Sequence, residues 1–179
     1  RVKFVNKLKK KKKIIYVYRD GRDVLASLYK YVKSYKKDYE EVTFGDFIRK
    51  KSIFEDEANN KSRNKVQYWK YHVESWLGME GILYISFEGL MNNYESSIKR
   101  IANYLNIKNK KNIRKIHRTE DNSKLMSHFI MILNKLTKKY TSVNFYKGKS
   151  GTYKDYFSRK DLELFNDSAF NTMKKLGYY

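Results

Sequence analysis

The sequence predicts an α/β fold with a parallel sheet covered by helices on both sides. Two observations carry this. Two short apolar runs, Ile14-Ile15-Tyr16-Val17-Tyr18 and "ILYISF" at 82–87, read as buried strands. Between and after them, apolar residues recur at helical rather than alternating spacing. Buried strands separated by helices are the pattern of a parallel sheet, because parallel neighbours need a crossover.

The elements follow in order. The first strand ends on Arg19-Asp20-Gly21-Arg22-Asp23, and a helix over about 22–35 carries Val24, Leu25, Leu28 and Val32 on one face. A polar, aromatic-rich connection leads to a short helix near Phe44 to Lys51, and 56–65 reads as a loop or a frayed helix start. Val66, Trp69, Val73, Trp76 and Leu77 make the next helical face, which Gly78 and Gly81 end. After the second strand, Ile98, Ile101, Ala102 and Leu105 form another face. Helices are also expected at about 110–117 and through Leu125, Phe129, Leu133 and Leu136. Ser158, with Asp161 three residues on, is an N-cap for a last helix. Its face is Leu162, Phe165, Ala169, Met173 and Leu176, and Gly177 closes it. Two strands are few for such a sheet, so further strands are expected upstream of Arg1.

Composition narrows the partners. The chain has 179 residues, enough for one domain with a core. It has no cysteine, which excludes a disulfide framework and a thiolate metal site. No apolar run reaches transmembrane length, and no signal-peptide pattern opens the chain. The net charge of +21 favours anionic partners. Abundant Lys, Asn, Ile and Tyr, with no proline, equally fit a base-composition bias that chose lysine. The lysine run at 9–13 has no interleaved aromatic and no nucleic-acid motif around it, which argues against nucleic acid. Neither cytosol nor secretory lumen is selected, and the oligomeric state is not legible.

In open α/β sheets the ligand lies beyond the carboxyl ends of the strands. Arg19 leaves the first strand where a helix begins, and a helix start offers free N–H groups and partial positive charge to an anion. The arginine fork suits a phosphate. Ser27, eight positions on, could turn its hydroxyl toward the same phosphate. The competing use is a surface ion pair of Arg19 with Asp20, with Ser27 merely permitting close packing. A second stretch, "FYKGKSGTYKDYFS" at 145–158, sets Gly148 and Gly151 among lysines and aromatics. Glycines allow backbone N–H groups to approach an anion closely.

These stretches together resemble the sulfotransferases that use 3′-phosphoadenosine 5′-phosphosulfate (PAPS). Residues 14–27 are similar to that family's 3′-phosphate motif, and 147–158 resemble its C-terminal signature, RKGxxGDWKNxFT. Between them, "WKYHVESWL" (69–77), "ILYISFEGLMNN" (82–93) and "IKRIANYLNI" (98–107) resemble family segments in the same order, and "MKKLGYY" (173–179) ends as members often do.

The resemblance implies a three-layer α/β/α, P-loop-NTPase-like sulfotransferase fold. It implies that 1–179 are the C-terminal portion of a single sulfotransferase domain, lacking N-terminal strands. It implies PAPS as co-substrate, adenosine 3′,5′-bisphosphate (PAP) as product, a hydroxyl or amine acceptor, and no metal. Arg19, Ser27, Lys147 and Gly148 then match the 3′-phosphate ligands, and Phe87 matches the aromatic beside the adenine. Tyr146 stands where the family has a basic residue, Thr152 replaces its Asp and Tyr153 its Trp. The family's phosphosulfate loop with its lysine, and its histidine base, are expected upstream of Arg1, so no catalytic residue is identified here and the fragment alone is expected to be inactive. His72 falls in the Trp-x-x-His segment, where a structural role is expected. A family dimer signature is half kept: Lys154 and Glu163 match, while Ser158-Arg159 replaces Thr-Val. The alternatives are another P-loop-type nucleotide enzyme such as a kinase, a basic polyanion-binding module, or a family member that binds without catalysing.

Overall fold

The structure is a computed structural model that describes residues 13–52, 62–107 and 149–179. The expected helices at about 110–117 and 125–136, and the loop expected at 56–65 up to residue 61, lie outside the described residues, as do His117 and His128.

Two strands form a parallel pair: β1 (Ile14–Tyr18) and β2 (Ile82–Ser86), in register from Ile14 opposite Ile82 to Tyr18 opposite Ser86. Burial of the pair is uneven. Ile82 and Ile85 are buried, whereas Val17 is 50% exposed. Val17 and Ile85 are register partners on one face, so the contrast lies between the strands: among the described residues β2 is the more deeply buried of the two.

The helices are α1 (Gly21–Tyr35), α2 (Phe44–Arg49), α3 (Lys65–Glu74), α4 (Phe87–Asn92), α5 (Tyr94–Leu105) and α6 (Arg159–Lys175). Single 3₁₀ turns occur at Lys37–Tyr39 and Thr152–Asp155. Local chemistry explains the ends. Asp20 caps α1 by accepting from the Arg22 N–H at 2.8 Å. Asn64 and Gln67 form a capping box at α3, and Ser158 and Asp161 form one at α6, as the sequence predicts for Ser158. The turn closing α6 is a Schellman motif: Gly177 (φ 81°) donates to the Lys174 carbonyl and Tyr178 to the Met173 carbonyl.

Two boundaries differ from the sequence expectation. The second strand stops at Ser86, because the Ser86 hydroxyl accepts from the Gly89 N–H and starts α4. Phe87 is thus the first residue of a helix and not the last of a strand. α3 stops at Glu74, so Trp76 and Leu77 lie in the turns that follow it. α5 begins at Tyr94, and Asn106 closes it in the left-handed conformation (φ 60°).

The core lies among the helices. Leu25, Tyr29 and Val32 of α1 meet Phe44, Phe47 and Ile48 of α2, Val66, Trp69 and Val73 of α3, and Phe165, Ala169 and Met173 of α6. Phe157 joins them from the turn before α6. At the start of α1, a Cβ on Gly21 would come within 2.7 Å of the Trp69 indole. This close approach presses the exit of β1 onto α3. The core thereby fixes the direction in which the residues before Gly21 leave the strand.

Candidate functional site

The site is built where β1 and β2 end side by side. Arg19 leaves β1 and Phe87 leaves β2, from adjacent parallel strands. The Arg19 guanidinium lies over the Phe87 ring, 4.5 Å from its centroid. Arg19 Nη2 donates to the Lys149 carbonyl at 2.8 Å, so the glycine-containing segment reaches the same point from 130 residues away. Nη2 also lies 3.5 Å from the Asp23 carboxylate. Nε of Arg19 is buried and has no hydrogen-bond partner among the described residues. A buried, charged donor without a partner is costly and calls for an acceptor.

The ion pair of Arg19 with Asp20, the competing use of that arginine, is not what forms. Asp20 instead takes the fork of Arg22, from Nε at 3.0 Å and Nη2 at 2.7 Å. Arg22 is held further by the rings of Tyr153 (4.4 Å) and Tyr179 (5.1 Å). Burial works to lower the Arg22 pKa, but the bond to Asp20 and its charge prevail and raise it. Of the two arginines at the strand exit, Arg22 is thus a structural cation and Arg19 keeps a donor unpaired.

Asp23 is the residue that sequence reasoning missed. It is fully buried. Its carboxylate accepts from the Gly151 N–H at 2.8 Å, the Tyr153 N–H at 2.9 Å and the Thr152 hydroxyl at 3.1 Å. One side chain of α1 therefore staples 151–153 beside Arg19. Gly151 at φ 82° supplies the turn that presents these donors together. Thr152 and Tyr153 gain a physical account here. The Thr152 hydroxyl serves Asp23, and the Tyr153 ring covers Arg22.

Arg19 and Phe87 are thus brought together. Ser27 is half-buried on α1, one turn beyond Asp23, while the contacts of Arg19 among the described residues go to Lys149, Asp23 and Phe87. Lys147 and Gly148 lie outside the described residues, although Lys149 next to them is in place. His72 packs in an aromatic cluster: the Tyr16 hydroxyl lies 3.3 Å from its Nδ1, and Tyr16 stacks on Trp76 at 5.3 Å. Of the half-kept dimer signature, Glu163 pairs with Arg159 on α6 at 3.0 Å. Among the described residues, no three His, Cys, Asp or Glu side chains group as metal ligands, and no helix is long and apolar enough to cross a membrane.

A family model described as a sulfotransferase domain matches residues 3–177. The chain belongs to the sulfotransferase family. Human sulfotransferase 2B1 is 32% identical over 100 residues, which cover 53% of this chain and 25% of that protein. Mouse sulfotransferase 1A1 is 30% identical over 103 residues, covering 55% and 32%. Two solved structures share the fold. Mouse sulfotransferase SULT7A1 complexed with PAP aligns at a TM-score of 0.53 and 19% identity, over 90% of this chain and 58% of that one. Retinol dehydratase in complex with androsterone and inactive cofactor PAP aligns at 0.54 and 18%, over 93% and 49%. The chain thus spans a quarter to a third of these curated relatives and about half of the solved chains. The fold is the α/β fold of the sulfotransferases, as the sequence predicts.

Proposed function

We propose that this chain supplies the 3′-phosphate and adenine side of the nucleotide site in a PAPS-dependent sulfotransferase, and that 1–179 are the C-terminal portion of its single domain. The protein moves a sulfuryl group from PAPS to a hydroxyl or amine acceptor and leaves PAP. The observation that carries this reading is Arg19: a guanidinium stacked on Phe87, with a buried Nε that has no partner among the described residues, at the carboxyl ends of two parallel strands. PAP in both solved relatives supports it.

The residues present fit such a nucleotide. Arg19 holds the 3′-phosphate through Nε, with Ser27, Lys147 and Gly148 as its further ligands. Phe87 offers its ring to the adenine. Asp23 keeps the glycine turn beside that phosphate and compensates part of the charge of Arg19. A dedicated 3′-phosphate site tells this nucleotide from ATP, because a donor set left unpaired penalises the wrong ligand. The group transferred and the base are served by residues that this chain does not identify.

The test is calorimetric titration with PAP of the full-length protein that contains this chain. Arg19→Ala is expected to lose about 1.5–3 kcal/mol of binding, or roughly 10- to 100-fold, and Ser27→Ala less. Unchanged PAP affinity in Arg19→Ala would remove Arg19 from the site. Equal affinity for ATP and PAP in the unaltered protein would favour a kinase-like enzyme instead.

A further inference from the structure

Glu88 follows Phe87, and Asp20 follows Arg19, so these two residues sit directly behind the two halves of the site. A single carboxylate joins them. Glu88 Oε1 accepts from the Asp20 backbone N–H at 3.3 Å. Its other oxygen, Oε2, accepts from the Tyr178 hydroxyl at 2.6 Å. Tyr178 arrives there because the Schellman turn at Gly177 folds the chain back after α6. Its ring stands edge-on to Tyr18, the last residue of β1, with centroids 6.3 Å apart. Tyr179, one residue on, covers Arg22, which in turn holds Asp20.

We propose that Glu88 and Tyr178 are positioning residues, a bridge that sets the Arg19 side of the nucleotide site from behind and makes the segment after α6 part of that site. The inference rests on the reading of Arg19 and Phe87 as nucleotide ligands. It goes beyond that reading in assigning a role to residues that do not face the nucleotide. The bridge acts mainly on Arg19 for a structural reason. Phe87 is already fixed by strand pairing on one side and by the Ser86 cap of α4 on the other. The backbone of Arg19 and Asp20 lies between β1 and α1, and the Asp20 N–H has Glu88 as its acceptor. Loosening Glu88 therefore frees the arginine more than the aromatic ring, and the 3′-phosphate feels it more than the adenine.

The experiment compares the unaltered chain with Tyr178→Phe and Glu88→Ala. It measures PAP and adenosine 5′-monophosphate binding by calorimetry, and amide hydrogen exchange without nucleotide. Each variant is expected to weaken PAP binding roughly fivefold to tenfold, the scale of one ordinary hydrogen bond acting through the backbone of Arg19. Affinity for the monophosphate, which lacks the 3′-phosphate, should move by less than about twofold. Exchange should speed up at the Asp20 amide while the amides of α6 stay protected. Unchanged exchange at Asp20 together with unchanged PAP affinity would overturn the bridge. An equal loss for both nucleotides would also overturn it, because that pattern means general loosening. Faster Asp20 exchange in a chain that binds no PAP even unaltered would uphold the bridge as structure and overturn the nucleotide reading beneath it.

Discussion

Lys65 carries an unusual charge. It opens α3, is 2% exposed, and has no carboxylate partner among the described residues. Its ammonium instead donates to the carbonyls of Lys50 (3.3 Å) and Lys51 (3.1 Å), just past the end of α2, and lies 4.4 Å from the centre of the Phe47 ring. Lysine thus caps the negative end of a neighbouring helix while its stem packs in the core. Burial first, and then the charge of Lys50, push its pKa down to about 8 from 10.5. The sign follows from linkage. Between these two values the unfolded chain binds more protons than the folded one, so stability rises with pH across that window. Relative to Lys65→Met, the unaltered chain is expected to gain about 2 kcal/mol of unfolding free energy between pH 7 and pH 10. Urea unfolding at each pH measures it. Parallel pH profiles for the two proteins would show that Lys65 is not buried as a charge. Above about pH 10 Tyr178 lowers the stability of both proteins alike, because burial and Glu88 hold its hydroxyl well above its ordinary value and the unfolded chain then loses that proton first.

Elements become a site here through one carboxylate. Asp23 on α1 is the only recorded link from that helix to Gly151, Thr152 and Tyr153 by hydrogen bonds among the described residues. Asp23→Asn turns one acceptor oxygen into a donor amide that faces N–H groups. The expected cost is about 2–4 kcal/mol of stability. The amides of Gly151 and Tyr153 should exchange faster, and PAP binding should weaken along with them. Retained protection of those two amides would show that the segment is held by something else. What the sequence disclosed and what it hid divide along this line. β1, α1 and the cap of α6 were legible because their signals are local: an apolar run, a helical period, Ser158 three residues before Asp161. The meeting of Arg19 with Phe87 was legible from the parallel-sheet reading, which sets the carboxyl ends of both strands side by side, and the family pattern then singled out the aromatic. The role of Asp23 was not legible, because its partners lie 128 to 130 residues away and two of them are backbone groups. The same applies to Glu88 and Tyr178, joined across 90 residues. Phe87 moved from strand to helix for a smaller reason, a serine cap inside an apolar run.

The whole molecule carries +21, and that charge alone attracts any anion. Selectivity has to come from somewhere shorter in range. Surface charges act through solvent, and their field shrinks to about a Debye length, roughly 10 Å at 0.1 M salt and about 3 Å at 1 M. Arg19 acts differently. Its side chain is 20% exposed, it rests on an aromatic face, and its Nε is desolvated. A contact of this kind is screened far less than a surface lysine. Two ligands separate the two contributions. Total affinity for PAP should fall as salt rises from 0.05 to about 0.5 M, a range over which screening becomes strong. On the proposed reading of Arg19 as the 3′-phosphate ligand, the ratio of PAP to adenosine 5′-monophosphate affinity should fall much less. A long anionic polymer such as heparin should lose affinity far more steeply, with one released counterion per contact. If the nucleotide ratio collapsed toward one along with heparin binding, the chain would be a general polyanion binder, and its charge rather than its strand exits would define what it recognises.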